Sequence, residues 1–149
     1  MAHTDALLKL SAAQAVTTTA VSTNNVNAVV ARDLGVGDQA PVATFTVDTA
    51  VTSGGSYTVT FEVITDDNSA FSSPTVIASS GAIPQANLTK GCEPIHVAFN
   101  PSVLAPLGEQ YIAVRYTTSG TLTAGAFTCY LGNDNGNANK FYPVGYTIL

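Results

Sequence analysis

The chain has 149 residues, a length that fits a single domain with a sizeable buried core. Hydrophobic residues make up 46% of it and charged residues only 10%, which excludes the disordered class. The formal net charge is -5 at pH 7, and the five Lys and Arg residues are scattered along the chain. Because no basic stripe could neutralise phosphates, we expect neither nucleic acid nor a membrane as a partner.

The N-terminal stretch MAHTDALLKLSAAQAVT ends in small residues, as secretion signals do, but it lacks a cationic start and carries Lys9 inside its apolar patch. We therefore expect no secretion signal, and no apolar run approaches the roughly 18 residues of a membrane span. Synthesis in the cytoplasm would keep Cys92 and Cys129 reduced as small core residues, with a disulfide between them as the alternative. The segment ALLKLSAAQAV is a candidate helical turn.

Further along the chain, apolar residues alternate with polar ones in five segments. This period of two is typical of half-buried strands. Clusters of Ser, Gly, Asp and Asn between the segments predict turns, and Pro101 and Pro106 keep a second helical turn, at residues 103–107, short. Short strands joined by turns predict an all-β sandwich or barrel. The segments are VATFTVD (42–48), SYTVTFEVIT (56–65), PIHVAF (94–99), YIAVRYTT (111–118) and GAFTCYL (125–131).

The adjacent carboxylates Asp66 and Asp67 stand in the stretch TDDNSAFSSP between two predicted strands. Asp, Asn and Ser are turn formers, because their short side chains bond their own backbone. Calcium needs more converging oxygen ligands than two neighbouring Asp residues supply, and paired catalytic carboxylates work from opposite sides of a bond. The sequence therefore predicts a solvated turn at Asp66 and Asp67, and neither a metal site nor an acid/base site.

Other chemical motifs are equally incomplete. Gly35, Gly37 and Ala40 match a dinucleotide-binding spacing, but Pro41 and a strand follow instead of a helix. The Asn-rich stretch GNDNGNANK lacks the carboxylates of a calcium loop, and His3 and His96 are too few for a histidine metal site. No G-x-S-x-G elbow marks a nucleophilic Ser. We therefore expect no enzyme activity, no cofactor and no metal.

Three stretches carry a family resemblance: ARDLGVGDQAPVATFTVDTA, FEVITDDNSAFSSPTVIASSGAIP and QYIAVRYTTSGTLTAGAFTCYL. From about Leu7 to Leu131 the chain resembles the capsid cement (decoration) proteins of short-tailed bacteriophages, of the type found in a Bordetella podophage. The resemblance implies a jelly-roll-like β-sandwich, assembled as homodimers or homotrimers on the outer capsid surface of the virion. It also implies the phage major capsid protein as partner and synthesis in the host cytoplasm, and it brings no catalytic residues.

The alternative function is a carbohydrate-binding β-sandwich module for host attachment. Sugar sites usually stack rings on exposed aromatic side chains, and this chain has no Trp. Most of its aromatic residues also fall on strand faces that the alternation predicts to be buried. The resemblance and the composition together favour the cement protein.

The two chain ends hold apolar residues that do not fit the alternating pattern. Because loose apolar side chains are unfavourable in water, segments 1–20 and 132–149 are candidate contact arms on a single domain of residues 1–149. The alternative is that both ends cap their own sandwich. Few Lys residues protect the strand edges, which favours self-association. The candidate capsid or subunit contacts are Leu7, Leu8, Leu10, Phe141, Tyr142 and Tyr146.

Overall fold

The computed structural model describes residues 6–35 and 40–133. Helices within these ranges are a single turn, α1 (Leu104–Leu107), and 3-10 turns at Ala6–Leu8, Gln85–Asn87 and Pro101–Val103. The rest of the regular structure there is extended. Its strands are β1 (Lys9–Ala15), β2 (Ala20–Val21), β3 (Val26–Asn27), β4 (Pro41–Thr52), β5 (Thr58–Asp66), β6 (Thr75–Pro84), β7 (Ile95–Ala98), β8 (Tyr111–Thr118) and β9 (Ala124–Asn133).

The strands form two antiparallel sheets that pack face to face. One sheet has the order β1-β9-β4-β7, and the other has the order β2-β8-β5-β6 with β3 also paired to β8. The pairing is nested along the chain: β1 pairs with β9, β2 and β3 with β8, β4 with β7, and β5 with β6. An antiparallel chain folded back on itself in this way is a jelly roll. The predicted jelly-roll-like β-sandwich is therefore confirmed.

The core lies between the sheets and follows the alternation seen in the sequence. In β5, for example, Val59, Phe61 and Val63 are fully buried, while the intervening residues face outward. Phe45, Phe61, Tyr116 and Phe127 form the aromatic centre of the core, with ring centroids 5.0 to 5.9 Å apart. Burying a side chain of this size stabilises the fold by roughly 1.5 to 3 kcal/mol.

Two hydroxyl groups lie inside this core, those of Tyr116 and Ser11. The hydroxyl groups of Tyr116 and Ser11 hydrogen-bond to each other, so that neither is left unpaired. Burial raises the pKa of Tyr116 and of the Cys129 thiol, which is fully buried. Cys92 is half-buried against the same core, and both cysteines are free in this structure.

The first candidate helical turn is wrong for most of its length. Only Ala6–Leu8 is helical, and the chain then continues as β1, which pairs with β9 and forms one edge of the sheet. The extended conformation is favoured over a helix here because it places Leu10, which is 1% exposed, between the two sheets. The second helical turn is confirmed as α1, which ends at Gly108 in the left-handed conformation, with φ of 72°.

Candidate interaction surface

Several strands end together at one end of the sandwich. Pro41 of β4 is paired with Asn133 of β9, and Asp66 of β5 is paired with Tyr111 of β8. The segment between β7 and β8 joins the two sheets here, and the N–H of Phe99 in that segment donates to the carbonyl of Pro41 at 3.0 Å. The segment from β3 to β4 also crosses this end.

The segments that meet at this end carry most of the exposed large apolar side chains of the described residues, and we call it the apolar end. Val76 is paired with Ile64 and faces outward from the sheet close to this end. Val29, Val30 and Leu34 come from the segment between β3 and β4, and Leu107 comes from α1. Leu7 precedes β1, and Val76 lies one residue inside the start of β6. Their exposed fractions are 88% for Leu7, 69% for Val29, 53% for Val30, 45% for Leu34, 42% for Val76 and 46% for Leu107.

The segment after β3 is tied to the sandwich at its base. The N–H of Ala28 donates to the carbonyl of Gln110 at 2.8 Å, and the N–H of Val29 donates to Oδ1 of Asn27 at 2.7 Å. Val29 adopts a φ of 71°, a left-handed conformation that is a true outlier for a β-branched residue. Such strain persists where the surrounding structure fixes it, and it is frequent at functional surfaces.

The opposite end is polar, and we call it the polar end. The connection from β8 to β9 lies here, since the N–H of Ser119 donates to the Thr58 carbonyl and that of Thr123 to the Thr52 carbonyl. Leu122 of this connection is 2% exposed and belongs to the core. The exposed residues on the turns after β4 and β8 are small or hydroxylated: Thr52, Gly54, Ser56, Ser119, Thr121 and Thr123. The connection from β6 to β7 also begins here, and it adds the exposed residues Asn87, Lys90 and Glu93.

The structure describes three of the six predicted contact residues, Leu7, Leu8 and Leu10. Leu10 is a core residue, so its prediction as a capsid or subunit contact is wrong: the side chain is already buried by its own sandwich. Leu8 is half-buried against the same core, and Leu7 is exposed at the apolar end. Phe141, Tyr142 and Tyr146 lie outside the described residues, as does all of the candidate arm 132–149 beyond Asn133.

The corner at Asp66 is a turn, but it is not fully solvated as predicted. Asp66 is 1% exposed, because the following loop folds over it. Its Oδ1 accepts from the N–H of Asn68 at 3.1 Å and its Oδ2 from the N–H of Ser73 at 3.0 Å. Phe71 of this loop packs with Ile64 and Ala113 on the outer face of the sheet. The carboxylate of Asp66 therefore holds the loop in place.

The two carboxyl groups at this corner titrate differently. Burial raises the pKa of Asp66, but the backbone N–H groups of Ser73 and Asn68 outweigh it and lower the pKa below the ordinary 3.8. The hydrogen bond from its side chain to Asp66, followed by burial and the charge of Asp66, raises the pKa of Asp67 above 3.8. At acid pH a proton is therefore taken up first by Asp67, and Asp66 stays charged.

A second carboxylate, that of Glu109, is bound nearby, and no sequence pattern pointed to it. It is 9% exposed, and its two oxygens accept from the hydroxyl groups of Thr65 and Thr75, the latter at 2.6 Å. These contacts tie the segment before β8 to β5 and β6. Because its hydrogen-bonding capacity is used within the chain, we assign Glu109 a structural role.

The outer face of the five-stranded sheet carries one ion pair. Arg115 Nε lies 2.7 Å from Glu62 Oε2, and the hydroxyl of Thr117 donates to the same oxygen at 2.7 Å. The three residues lie side by side on β5 and β8. This arrangement neutralises the centre of that face.

Strand β6 forms an edge of this sheet and has no charged residue. Its pairing with β5 shifts twice, each time with an extra residue in β6, and Gly81 at one shift has a φ of 73°. Bulges of this kind twist an edge and oppose uncontrolled pairing with other chains. The edge is therefore partly protected even without Lys.

The remaining candidate groups stand apart from one another. His96 is exposed, with Nδ1 3.2 Å from the Thr44 hydroxyl, while His3 lies outside the described residues. In the part of the chain that the structure describes, no three His, Cys, Asp or Glu side chains are grouped so as to hold a metal ion. Gly35 has a φ of 70°, as a Gly-rich turn would require, but Gly37 is not among the described residues.

Neither α1 nor any other helix in residues 6–35 and 40–133 has the length and apolar character needed to cross a bilayer.

The fold and its surfaces define the class: a single-domain jelly-roll β-sandwich with one apolar end and one polar end. Comparison with known proteins then gives the family. The family model described as Bbp16 matches residues 10–131, which extend from β1 to β9 and include both sheets. The chain belongs to the Bbp16 family, a family of Bordetella phage proteins. Among curated proteins, no match to the chain is found.

Proposed function

We propose that this chain is a structural protein of the phage virion, a cement protein that binds the outside of the head and stabilises contacts between major capsid proteins. The observation that carries the proposal is the membership in a phage protein family over the whole sandwich, residues 10–131. The more specific assignment, that of a cement protein, rests on the resemblance of the three sequence stretches to capsid cement proteins.

The chemistry of the surface supports a role in contact. Only 10% of the residues are charged, and the buried or half-buried carboxylates Glu62, Asp66 and Glu109 are bonded within the chain. A surface of this kind can be covered by a partner without leaving many charges unpaired. Around a closed shell, many identical weak contacts add up through multivalency.

The partners in this proposal are the major capsid protein and other copies of the chain. A homodimer or homotrimer would cover edges such as β6, which is ten residues long and uncharged. We propose no catalytic role, and the carboxylates of Glu62, Asp66 and Glu109 serve to hold loops and strands together.

Carbohydrate binding for host attachment is the competing function. A sugar site of the usual kind presents an aromatic ring to solvent, but the described aromatic side chains are buried or half-buried. Tyr130, for example, lies beneath the Lys9 ammonium, which is 5.4 Å from its ring centroid. The described surface therefore favours protein contact over sugar stacking.

Co-sedimentation tests the proposal. The full chain is mixed with expanded capsids of the phage that encodes it, assembled without this protein, and pelleted over a range of concentrations. We expect saturable binding and capsids that resist heat or chemical disruption better than bare ones. An unrelated β-sandwich of similar charge is the control. If the chain does not pellet with capsids but binds a defined sugar on a glycan array, the proposal is wrong.

A further inference from the structure

We infer that the loop between β5 and β6, residues 67–74, is a small cover that opens while the sandwich stays folded, and that the Asp66 carboxylate is its acid-sensitive latch. We call this segment the corner loop. In the closed position it buries an apolar cluster on the outer face of the five-stranded sheet, and in the open position it exposes that cluster. This property of the fold does not depend on the proposed role on the capsid.

The corner loop covers the sheet with one large side chain. Phe71 is 9% exposed and packs with Ile64 of β5 and Ala113 of β8, which are both fully buried. Val21 and Tyr111 pack around these three as half-buried neighbours. Ile64 and Ala113 face outward from the sandwich, so it is Phe71 that shields them from water. Opening of the loop would therefore expose an apolar area built from β2, β5 and β8.

The corner loop is separate from the main core. The buried residues between the two sheets form one cluster, and Ile64, Phe71 and Ala113 form another. The rest of the loop adds little apolar contact, since residues 67–70 and 72–73 are exposed. Movement of the loop would thus leave the packing between the sheets intact. Segments held by few buried apolar contacts open at a lower free energy than the whole domain.

The base of the loop is fixed by Glu109. Its carboxylate accepts from the hydroxyl groups of Thr65 and Thr75, the latter at 2.6 Å. Thr65 and Thr75 lie opposite each other in the pairing of β5 with β6, next to the point where the loop leaves the sheet. Because these bonds lie outside the loop, they limit an opening movement to residues 67–74.

Asp66 holds the loop itself. This residue is 1% exposed, and its two oxygens accept from the N–H groups of Asn68 at 3.1 Å and Ser73 at 3.0 Å, near the two ends of the loop. Hydrogen bonds to a charged acceptor are roughly twice as strong as those between neutral groups. Protonation of Asp66 would therefore weaken both bonds at once.

Two features of the loop oppose closure. Phe71 has a φ of 50°, in the left-handed region that a bulky residue rarely adopts. Strained conformations of this kind are frequent in switch regions. In addition, the exposed Asp67 places a like charge beside Asp66. The closed loop is thus held by the packing of Phe71 and the bonds of Asp66, against backbone strain and charge repulsion.

The groups around Asp66 supply no positive charge to replace these bonds. The titratable residues on the elements packed against it are Asp67 in the loop, Tyr111, which is paired with it, and Glu109, which precedes β8. Among the described residues, Arg32 in the segment after β3 forms no ion pair. The charge of Asp66 is therefore stabilised by N–H groups, and only the charged form of the carboxyl group holds the loop well.

The two aspartates give closure a defined pH dependence. Burial raises the pKa of Asp66, but the N–H groups of Ser73 and Asn68 lower it below 3.8, so its stabilisation is complete above 3.8 and is lost as the pH falls through the folded pKa. The hydrogen bond to Asp66 raises the pKa of Asp67, so closure becomes more favourable as the pH falls through that raised value towards 3.8. The loop should be closed most firmly just above pH 3.8 and should open below it.

Amide hydrogen exchange of the full chain, followed by nuclear magnetic resonance, tests independent opening. The N–H groups of Phe71 and Ser73 report on the loop, and that of Phe45, in a strand paired on both sides, reports on the sandwich. At pH 7 we expect the loop amides to be about tenfold or more less protected than Phe45. Low concentrations of urea should accelerate exchange at Phe45 only, because a local opening exposes little surface. If all three amides respond alike to urea, the loop opens only with the sandwich and the inference is wrong.

Two single variants test the latch with changes of opposite sign. At pH 7, Asp66→Asn should lower the protection of the Ser73 amide about five- to thirtyfold, since it replaces the charged acceptor. Asp67→Asn removes the like charge and supplies an amide donor to Asp66, so it should raise that protection roughly two- to fivefold. Ser72→Ala, at an exposed site of the same loop, is the matched control and should change nothing. Wild-type protection in Asp66→Asn, or reduced protection in Asp67→Asn, would overturn the assignment of the latch.

The same exchange measurements at falling pH, corrected for the intrinsic exchange rate, test the response to acid. In the wild type, the protection of Ser73 should fall below pH 3.8 while Phe45 stays protected, and in Asp66→Asn the protection of Ser73 should not change across this range. Constant protection of Ser73 in the wild type would show that Asp66 is not an acid-sensitive latch. A parallel loss at Phe45 would show that acid acts on the whole sandwich, and it would overturn the inference as well.

Discussion

Replacing Leu10 with Ala tests whether the N-terminal segment belongs to the sandwich or serves as a contact arm. Leu10 is 1% exposed and packs in the main core from β1, whereas Leu7 is 88% exposed and precedes the strand. Leu10→Ala removes three buried carbon atoms, which costs about 2.4 kcal/mol at about 0.8 kcal/mol each before any cavity is counted. The cavity raises the expected loss to about 3 kcal/mol, near the lower part of the usual range because β1 is an edge strand whose neighbours can relax.

For a chain of this length, such a loss lowers the melting temperature by roughly 6 to 12 °C. Leu7→Ala is the matched control and should change the stability by less than about 0.5 kcal/mol, since the side chain is almost fully in water. Urea unfolding of the full chain, followed by circular dichroism, gives both free energies of unfolding. Our assignment of β1 to the core would be refuted if Leu10→Ala unfolded at the same urea concentration as the wild type.

Three further predictions concern a glycine, a carboxylate and the C-terminal segment. A Cβ atom at Gly120 would stand 2.5 Å from the Tyr57 ring, so Gly120→Ala should destabilise the fold by about 1 to 2 kcal/mol in thermal melts. Gly54→Ala, with no atom within 4 Å of its Cβ, should be nearly neutral, and equal melting of the two variants would contradict the packing described. The pKa of Asp66 is lowered, so its stabilisation is complete above the unfolded value of 3.8 and is lost as the pH falls through the folded pKa. Asp66→Asn should therefore be less stable than the wild type at pH 7, by about 1 to 2 kcal/mol in the free energy of unfolding. In a series of melts at falling pH, this difference in stability should disappear below pH 3.8. A difference that stayed constant would argue against this role. Deleting Lys140–Leu149 should leave the melting temperature nearly unchanged but weaken oligomerisation or capsid binding, and an unfolded truncation product would show that this segment belongs to the core.

The alternation in the sequence predicted β4, β5, β7, β8 and β9 and the faces that they bury, whereas the region of β1 was predicted to be helical and the short β2 and β3 were not predicted. In β5, β8 and β9 the residues that enter the main core alternate along the strand, because successive side chains of a strand point to opposite faces of the sheet. The pattern fails in β1, where shifts in pairing fall between Lys9 and Ser11 and between Ser11 and Gln14. Because of these irregularities, a search for period-two alternation does not identify Leu10 as a buried residue.

The candidate surface was harder to predict, because its parts are distant in the chain. Val30 and Leu107 are separated by most of the sequence, and only the nested strand pairing brings them to one end of the sandwich. The one local signal was the adjacent pair Val29 and Val30 outside any alternating segment. The burial of Asp66 was equally hidden, since one of its donors, Ser73, is supplied by a loop that folds back from seven residues away.

An electron cryomicroscopy map of the virion head of the phage that encodes this chain tests the central claim most directly. Our account predicts density for the jelly-roll sandwich on the outer capsid surface, between neighbouring major capsid proteins. A head whose outer surface lacked this density, with the chain located in the tail or absent from the virion, would contradict the account.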